Sequence, residues 1–265
     1  MAEIKVAVIN ASSVLTDAEV QAAVPALQTQ VHRDFYPPWG VDADLTFVPK
    51  GHQPPAGSWW LAILDNSDQA GALGYHDVTS EGLPLGKVFA GTDKQYGYIW
   101  TVTASHELLE MLGDPEINLT VFIQKNARSG ELYAYEVCDA CEADQFGYQI
   151  NGTLVSDFVY PAWFESFRKQ GSTQFDHDNK INAPFKLLSG GYIGVFDVKS
   201  GSGWHQLNAE EGPYGHKVIA PRGSRRERRN RVRDHWLKSN RPRRGDSGES
   251  LASHEVPDHG KLSQR

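Results

Sequence analysis

The chain of 265 residues is 40% hydrophobic and 11% aromatic, which is enough for a sizeable core and excludes an intrinsically disordered protein. Two cysteines, Cys138 and Cys141, are too few for a disulfide-stapled secreted fold. No apolar run is long enough to span a bilayer, and nothing opens the chain like a signal peptide. We therefore expect a cytoplasmic protein, with non-classical release left open.

Charge is divided unevenly along the chain. Residues 1–221 contain 13 Lys plus Arg against 27 Asp plus Glu, a formal charge of −14, and residues 222–265 contain 13 against 6, a formal charge of +7. This division predicts a folded acidic domain over residues 1–220 and an arginine-rich, disordered tail over residues 221–265. The segment 222–244 suits an anionic partner, either a nucleic acid or an acidic surface.

Hydrophobic patterns predict the elements of the N-terminal half. Strands are expected at residues 6–10, 43–48, 59–64, 71–77 and 87–90, with a helix at 16–35 after the first of them. Thr16 and Glu19 form a capping box at the start of that helix, and Pro25 is expected to kink it. The strand at 71–77 contains glycine, which suits the edge of a sheet.

A second helix, ending at Gly113 before Pro115 and expected to begin at a Thr or Ser cap, carries the most distinctive chemistry. His106 and Glu110 lie four residues apart, so their side chains leave one face a turn apart. A metallohydrolase needs this arrangement, since the two ligands hold the ion and the neighbouring Glu107 takes a proton from water.

The same helix has a structural interpretation. It is strongly apolar at Leu108, Leu109, Met111 and Leu112, which is typical of a buried core helix. His106 would then be a hydrogen-bonded core histidine, and the two glutamates would form an acidic edge.

A second cluster follows the strand predicted at 132–137. It consists of Glu136, Asp139, Glu142 and Asp144, with the two cysteines between them. Carboxylates at this density repel one another unless a cation or a basic partner neutralises them. The ion at His106 or a separate calcium would do so, and a solvated acidic loop is the alternative for Glu142 and Asp144. The cysteines are interpreted as structural, with a soft metal ligand as the alternative.

The rest of the folded part is predicted to be rich in strands. A strand at 119–124, a hairpin around Asn151-Gly152 and a last hairpin at 185–198 are expected. Tyr148 and Tyr160 also lie in this part, and core packing is the structural interpretation of each.

The helix resembles the active helix of the zincin metallopeptidases, whose signature is H-E-x-x-H, with Glu110 in place of the second histidine. In the metzincin branch a glycine and a third ligand follow, and Gly113 and Glu116 occupy those positions. The run HELLE-x-x-GDP, followed by YEV-x-D-x-x-E, is also similar to a group of bacterial and phage-associated proteins, from the N-terminus to about residue 205.

The resemblance implies an α+β, zincin-like fold. Its mixed twisted sheet has an N-terminal helix and an active-site helix, and a β-rich C-terminal part follows. The edge strand would pair with a peptide substrate through Leu73, Gly74 and Tyr75, with Tyr160 also contacting the substrate. Because a tyrosine follows the active helix in zincins, the resemblance further implies that Tyr160 or Tyr148 is the oxyanion donor.

The resemblance further implies one divalent metal ion. His106 and Glu110 would bind it with a third carboxylate from Glu116, Glu136 or Asp139. Zinc is the first choice, and manganese, iron or calcium are alternatives because Glu110 makes the ligand set harder and more anionic.

The leading hypothesis is a metal-dependent peptidase with Glu107 as general base. Two alternatives stand beside it. One is a catalytically inactive binding module that keeps the scaffold and a structural ion, and the other is a nucleic-acid-associated protein acting through its basic tail.

Overall fold

The computed structural model describes residues 4–69, 72–200 and 203–209. Within these residues, eleven strands run in chain order as β1 Ile4–Asn10, β2 Ala43–Val48, β3 Trp59–Leu64, β4 Gly74–Val78, β5 Pro84–Phe89, β6 Thr120–Asn126, β7 Ser129–Ala134, β8 Tyr148–Ile150, β9 Thr153–Val155, β10 Tyr192–Asp197 and β11 Trp204–Asn208. The α-helices are α1 Asp17–Thr29, α2 Tyr36–Trp39, α3 Ala90–Tyr96 and α4 Trp100–Gly113. The predicted tail and the boundary at residue 220 lie outside the described residues.

Five strands form a mixed sheet in the order β2-β1-β3-β5-β4. The first four are parallel and β4 runs antiparallel to β5. The central strands are apolar because both faces of the sheet are covered, with Val6 and Leu61 on one side and Ala7 and Leu85 on the other. The expected edge position of the glycine-containing strand is confirmed, since β4 is the last strand of the described sheet.

The N-terminal helix begins as predicted and continues past its proline. Thr16 and Glu19 form the expected capping box. The α-helix continues through Pro25 to Thr29, although Pro25 has no amide hydrogen to donate, and it is followed by a π-helical segment, Gln30–Phe35. Because α2 extends this segment to Trp39, the helical run ends only at Gly40. The φ of Gly40 is 68°, in the left-handed region that glycine adopts readily at a helix C-cap.

Helix α4 packs on β3, β4 and β5 and ends at Gly113 as predicted. The expected Thr or Ser cap is wrong, because the N-cap is Ile99, which has no side-chain capping bond. The hydroxyls are used elsewhere: Thr101 donates to the Leu154 carbonyl at 2.7 Å, and Ser105 accepts from the Ser156 amide at 2.6 Å. These bonds fix α4 to the segment that contains β9.

The part after α4 is rich in strands, as predicted, and together with the mixed sheet it gives the α+β class. Strands β6, β7, β10 and β11 form an antiparallel sheet, and β8 and β9 form the hairpin around Asn151-Gly152. The hairpin predicted at 185–198 is wrong. Residues 192–197 instead pair with β7 on one side and with β11 on the other, a long-range pairing that local glycine signals do not reveal.

Both cysteines are buried free thiols in this structure. Burial raises the pKa of each thiol well above its usual value, and neighbouring carboxylates add to the shift. None of the described helices is long and apolar enough to cross a lipid bilayer.

The buried carboxyl pair Asp157 and Asp176 yields a prediction about stability. Burial and the contact with Asp176 raise the pKa of Asp157 to about 8, so the folded state holds a proton that the unfolded state releases near pH 4. Stability from this proton is present at low pH and lost as the pH rises towards 8. Asp157→Asn keeps a hydrogen-bond donor towards Asp176 but does not titrate. Its free energy of unfolding, measured by urea denaturation, should therefore fall between pH 5 and pH 8 by at least ~1 kcal/mol less than that of the parent. Equal slopes of the unfolding free energy against pH would contradict the shared proton.

Candidate metal centre

One turn of α4 presents three polar side chains to the interior. His106, Glu107 and Glu110 are only 8%, 5% and 4% exposed. The apolar residues of the same helix, including Leu108 and Leu109, pack in the main core, so the helix has an apolar side and a buried polar side. The core-helix interpretation fits the apolar side and the metal-site interpretation fits the polar side. Carboxylate oxygens of Glu110 and Asp139 lie next to His106, which is therefore not enclosed by leucines alone.

The edge strand contributes a second imidazole. The side chain of His76 on β4 is buried, and its Nδ1 lies 3.6 Å from Glu110 Oε2 and 3.9 Å from Glu107 Oε2. Its Nε2 lies 3.8 Å from Glu136 Oε2. His76 lies in the strand predicted at residues 71–77, but no ligand role was predicted for it. The signal for it was the alternation of β4, which puts His76 on the same face as Gly74.

The segment after β7 closes the cluster from the other side. Asp139 Oδ1 lies 3.4 Å from His106 Nε2, and Glu110 Oε2 lies 3.3 Å from the same nitrogen. The other oxygen of Glu110 accepts a hydrogen bond of 3.2 Å from the Cys138 amide. A 3₁₀ turn, Asp139–Cys141, leads to the half-buried Glu142.

Ligand-capable atoms form three overlapping groups in the part of the chain that the structure describes. The groups are His106–Glu110–Cys138, His76–Glu110–Glu136 and His106–Asp139–Glu142, and within each group the atoms lie within 4.8 Å of one another. The sequence predicted four of these residues as ligands, namely His106, Glu110, Glu136 and Asp139. It left Glu142 open between a neutralising cation and a solvated acidic loop, offered a cysteine as an alternative ligand, and assigned no role to His76.

The cluster fits a divalent cation. Two of its buried polar atoms, His76 Nε2 and Glu107 Oε2, have no hydrogen-bond partner, and such atoms are costly unless something compensates them. The donors are imidazole nitrogens and carboxylate oxygens, a set suited to zinc, iron or manganese.

The charges in the cluster shift one another strongly. Burial raises the pKa of Glu107 to about 8, with Glu110 and Glu136 adding to the shift. Burial would also raise the pKa of Glu110, but the two imidazoles lower it below its usual value. Burial disfavours the charged form of His76, yet Glu136 and Glu110 outweigh it and raise the pKa to about 9. The cluster therefore attracts positive charge.

Tyr192, which sequence patterns did not indicate, borders the cluster. Burial raises the pKa of Tyr192 well above its usual value, and a hydrogen bond with Asp139 and the charge of Glu142 add to this. Tyr192 reaches this place because Gly191 packs tightly on the 3₁₀ turn, where an added Cβ would lie 2.4 Å from the Ala140 carbonyl oxygen.

The other predicted site residues have different surroundings. Glu116 is exposed in the turn after α4 and belongs to none of the three groups. Tyr160 contacts His177 and packs on Phe158. Tyr148 donates to Asp34 at 2.9 Å.

In the edge strand, Gly74 lies directly against Glu107. Tyr75 points to the opposite face of the sheet, because its hydroxyl bonds to Asp68 and its ring packs on Phe89. Leu73 precedes β4, and its carbonyl oxygen accepts a bond of 2.9 Å from the Phe89 amide.

The contact between β4 and α4 gives a prediction about Gly74. An added Cβ would lie 2.6 Å from Glu107 Oε1 and 2.8 Å from the Lys87 carbonyl oxygen. Gly74→Ala should therefore lower the unfolding free energy by ~1–3 kcal/mol, the usual cost of overpacking. Urea denaturation measures this. Gly194→Ala in β10 is the matched control, because its Cβ would have no contact shorter than 3.3 Å. Equal effects of the two variants would contradict the tight contact.

Comparison of the chain with protein-family models, with curated proteins and with solved structures found no match. The geometry of the cluster is therefore the basis for proposing a function.

Proposed function

We propose that the protein is a metal-dependent hydrolase of zincin-like fold that cleaves peptide bonds. The observation that carries this proposal is the convergence of His106, Glu110 and Asp139, with Glu110 Oε2 and Asp139 Oδ1 at 3.3 and 3.4 Å from His106 Nε2. These three atoms come from two separate segments, α4 and the 3₁₀ turn after β7, which meet at the His106 imidazole. The order of the mixed sheet, with an antiparallel edge strand beside α4, also supports the zincin-like fold.

Glu107 has the properties of a general base in this arrangement. It follows His106 directly on α4, it is buried, and its Oε2 has no hydrogen-bond partner. A bound divalent ion would polarise a substrate carbonyl and make a water molecule more acidic. Glu107 would take the proton of that water and deliver it to the leaving amine.

The outer edge of β4 offers a place for an extended peptide. The Leu73 carbonyl oxygen bonds to β5, and successive backbone groups of a strand point to opposite sides. The backbone groups of Gly74 and His76 therefore face the outer edge, whereas those of Leu73 and Tyr75 face β5. Strand addition would use Gly74 and His76, which changes the set predicted from the sequence.

Burial favours a second candidate, a binding module with a structural ion. The side chains of His76, Glu110 and Glu136 are each less than a tenth exposed. A substrate carbonyl would have to enter past Glu142 and Tyr192, which are the half-buried members of the surroundings. A module without hydrolytic activity would need no such entry.

Substitution of the general base separates the two candidates. Glu107→Gln should lower casein hydrolysis at least ~100-fold, the usual contribution of a general base, and should leave the metal content unchanged. Activity is followed with a fluorescent casein, and metal by mass spectrometry of the purified full chain. Removal of the metal by a chelator should abolish activity in the parent.

Glu116→Gln is the matched control, because Glu116 is exposed and outside the cluster. Full activity of Glu107→Gln would contradict its role as base. A metal-loaded parent that cleaves no peptide supports the binding module, and a parent without bound metal contradicts both candidates.

Tyr192 provides a further prediction, since its hydroxyl bonds to Asp139 beside the proposed ion and would donate to an oxyanion that developed there. Tyr192→Phe keeps the ring packing and should lower kcat ~100-fold while leaving KM nearly unchanged. Steady-state kinetics at saturating metal measure both constants. If Tyr192 only orients Asp139, metal affinity will fall and kcat at saturation will stay at the parental value.

A further inference from the structure

The two imidazoles of the cluster belong to different ligand groups. His76 enters from β4 and groups with Glu110 and Glu136, whereas His106 on α4 groups with Asp139 and Glu142. Each of these two groups offers one nitrogen and two carboxylate oxygens. The cluster is therefore two similar ligand sets side by side.

Glu110 lies between the two sets. Its Oε2 is 3.6 Å from His76 Nδ1 and 3.3 Å from His106 Nε2. Its Oε1 is held by the Cys138 amide, which fixes the carboxylate plane. A carboxylate held between two imidazoles in this way is placed to bridge two cations.

An independent observation points to a ligand on the β4 side. His76 is 9% exposed, and its Nε2 has no hydrogen-bond partner although it faces Glu136 at 3.8 Å. A single ion bound by His106, Glu110 and Asp139 would leave that nitrogen without a hydrogen bond, facing only the Glu136 carboxylate across 3.8 Å among the described residues. A separate ion in the His76 group, bound at Nε2, would compensate it.

The charge of the cluster also favours two cations. Five carboxyl groups surround the two imidazoles: Glu107, Glu110, Glu136, Asp139 and Glu142. With neutral imidazoles and with the four ligand carboxylates Glu110, Glu136, Asp139 and Glu142 ionised, one divalent ion would leave a net charge of −2 and two would leave 0. Unbalanced charge is expensive in a buried site, so the second ion removes most of the remaining cost.

We propose that the cluster is a two-metal centre, with one divalent ion held by His76, Glu110 and Glu136 and a second held by His106, Asp139 and Glu142. Glu110 bridges the two ions. The inference rests on the proposed function for the ion at His106, and it adds the ion at His76. Ligand sets of one imidazole and two carboxylates suit manganese, iron or zinc better than calcium. Two-metal sites of this size hold their ions ~3.5–4 Å apart.

The stoichiometry of bound metal tests the proposal. The full chain is loaded with Mn²⁺ or Zn²⁺, desalted into metal-free buffer and analysed by mass spectrometry. The parent and the Glu116→Gln control should retain two equivalents, and His76→Asn and Glu142→Gln should each retain one. Thermal unfolding shows whether each variant is folded.

Spectroscopy of the parent provides a measurement that needs no variant. The Mn²⁺-loaded parent should give the electron paramagnetic resonance spectrum of a magnetically coupled pair, and His76→Asn that of an isolated ion. One equivalent with an isolated-ion spectrum in the parent overturns the two-metal centre and leaves the proposed function standing. No bound metal overturns both.

A third result would reassign the second ion. The His106–Glu110–Cys138 group is the alternative, and Cys138→Ser distinguishes it. Loss of one equivalent in Cys138→Ser, with two retained in Glu142→Gln, would contradict the assignment of Asp139 and Glu142.

Discussion

The structure depends on one electrostatic constraint: several carboxyl groups are buried together and must be compensated. Glu107, Glu110, Glu136 and Asp139 are each less than a tenth exposed. Two imidazoles can offset only part of this charge, and hydrogen bonds such as that from the Cys138 amide offset a little more. Buried carboxylates that are only partly compensated lower the free energy of unfolding. The persistence of this cluster in an otherwise well-packed domain is a physical reason to assign it a cation and a chemical role.

Close backbone approaches bring the cluster together. Gly74 on β4 and Gly86 on β5 allow α4 to lie tightly on the sheet, since an added Cβ at Gly86 would lie 2.9 Å from Leu61 and 3.5 Å from Glu107. Gly191 does the same for the turn that carries Asp139. The glycines thus set the distance between the edge strand, the helix and the acidic turn, and the bonds of Thr101 and Ser105 fix the orientation of the helix.

Much of the fold could be predicted because its signals are local. The strands at 43–48 and 59–64, the capping box at Thr16 and the end of α4 at Gly113 all follow from short patterns. The placement of Tyr192 could not be predicted, because β10 pairs with β7 over a long sequence separation. His76 lies in a local strand pair, opposite Gly86, but its approach to the cluster depends on how α4 packs on the sheet. Spacing within the helix gave His106 and Glu110, whereas the metzincin resemblance suggested Glu116, which the turn after α4 directs to solvent.

Glu110 stands where the zincin signature has its second histidine, and this difference bears on the proposed catalysis. A carboxylate ligand donates more charge than an imidazole, so a single ion in this site would be a weaker Lewis acid. A carboxylate shared between two ions would give less charge to each, and His76 would supply an imidazole from the edge strand. In the proposed two-metal arrangement, Glu110 would be the feature that allows a second ion, and a carboxylate at this position would be compatible with activity. The acidic character of the cluster and the proposed hydrolytic function would then have the same physical origin.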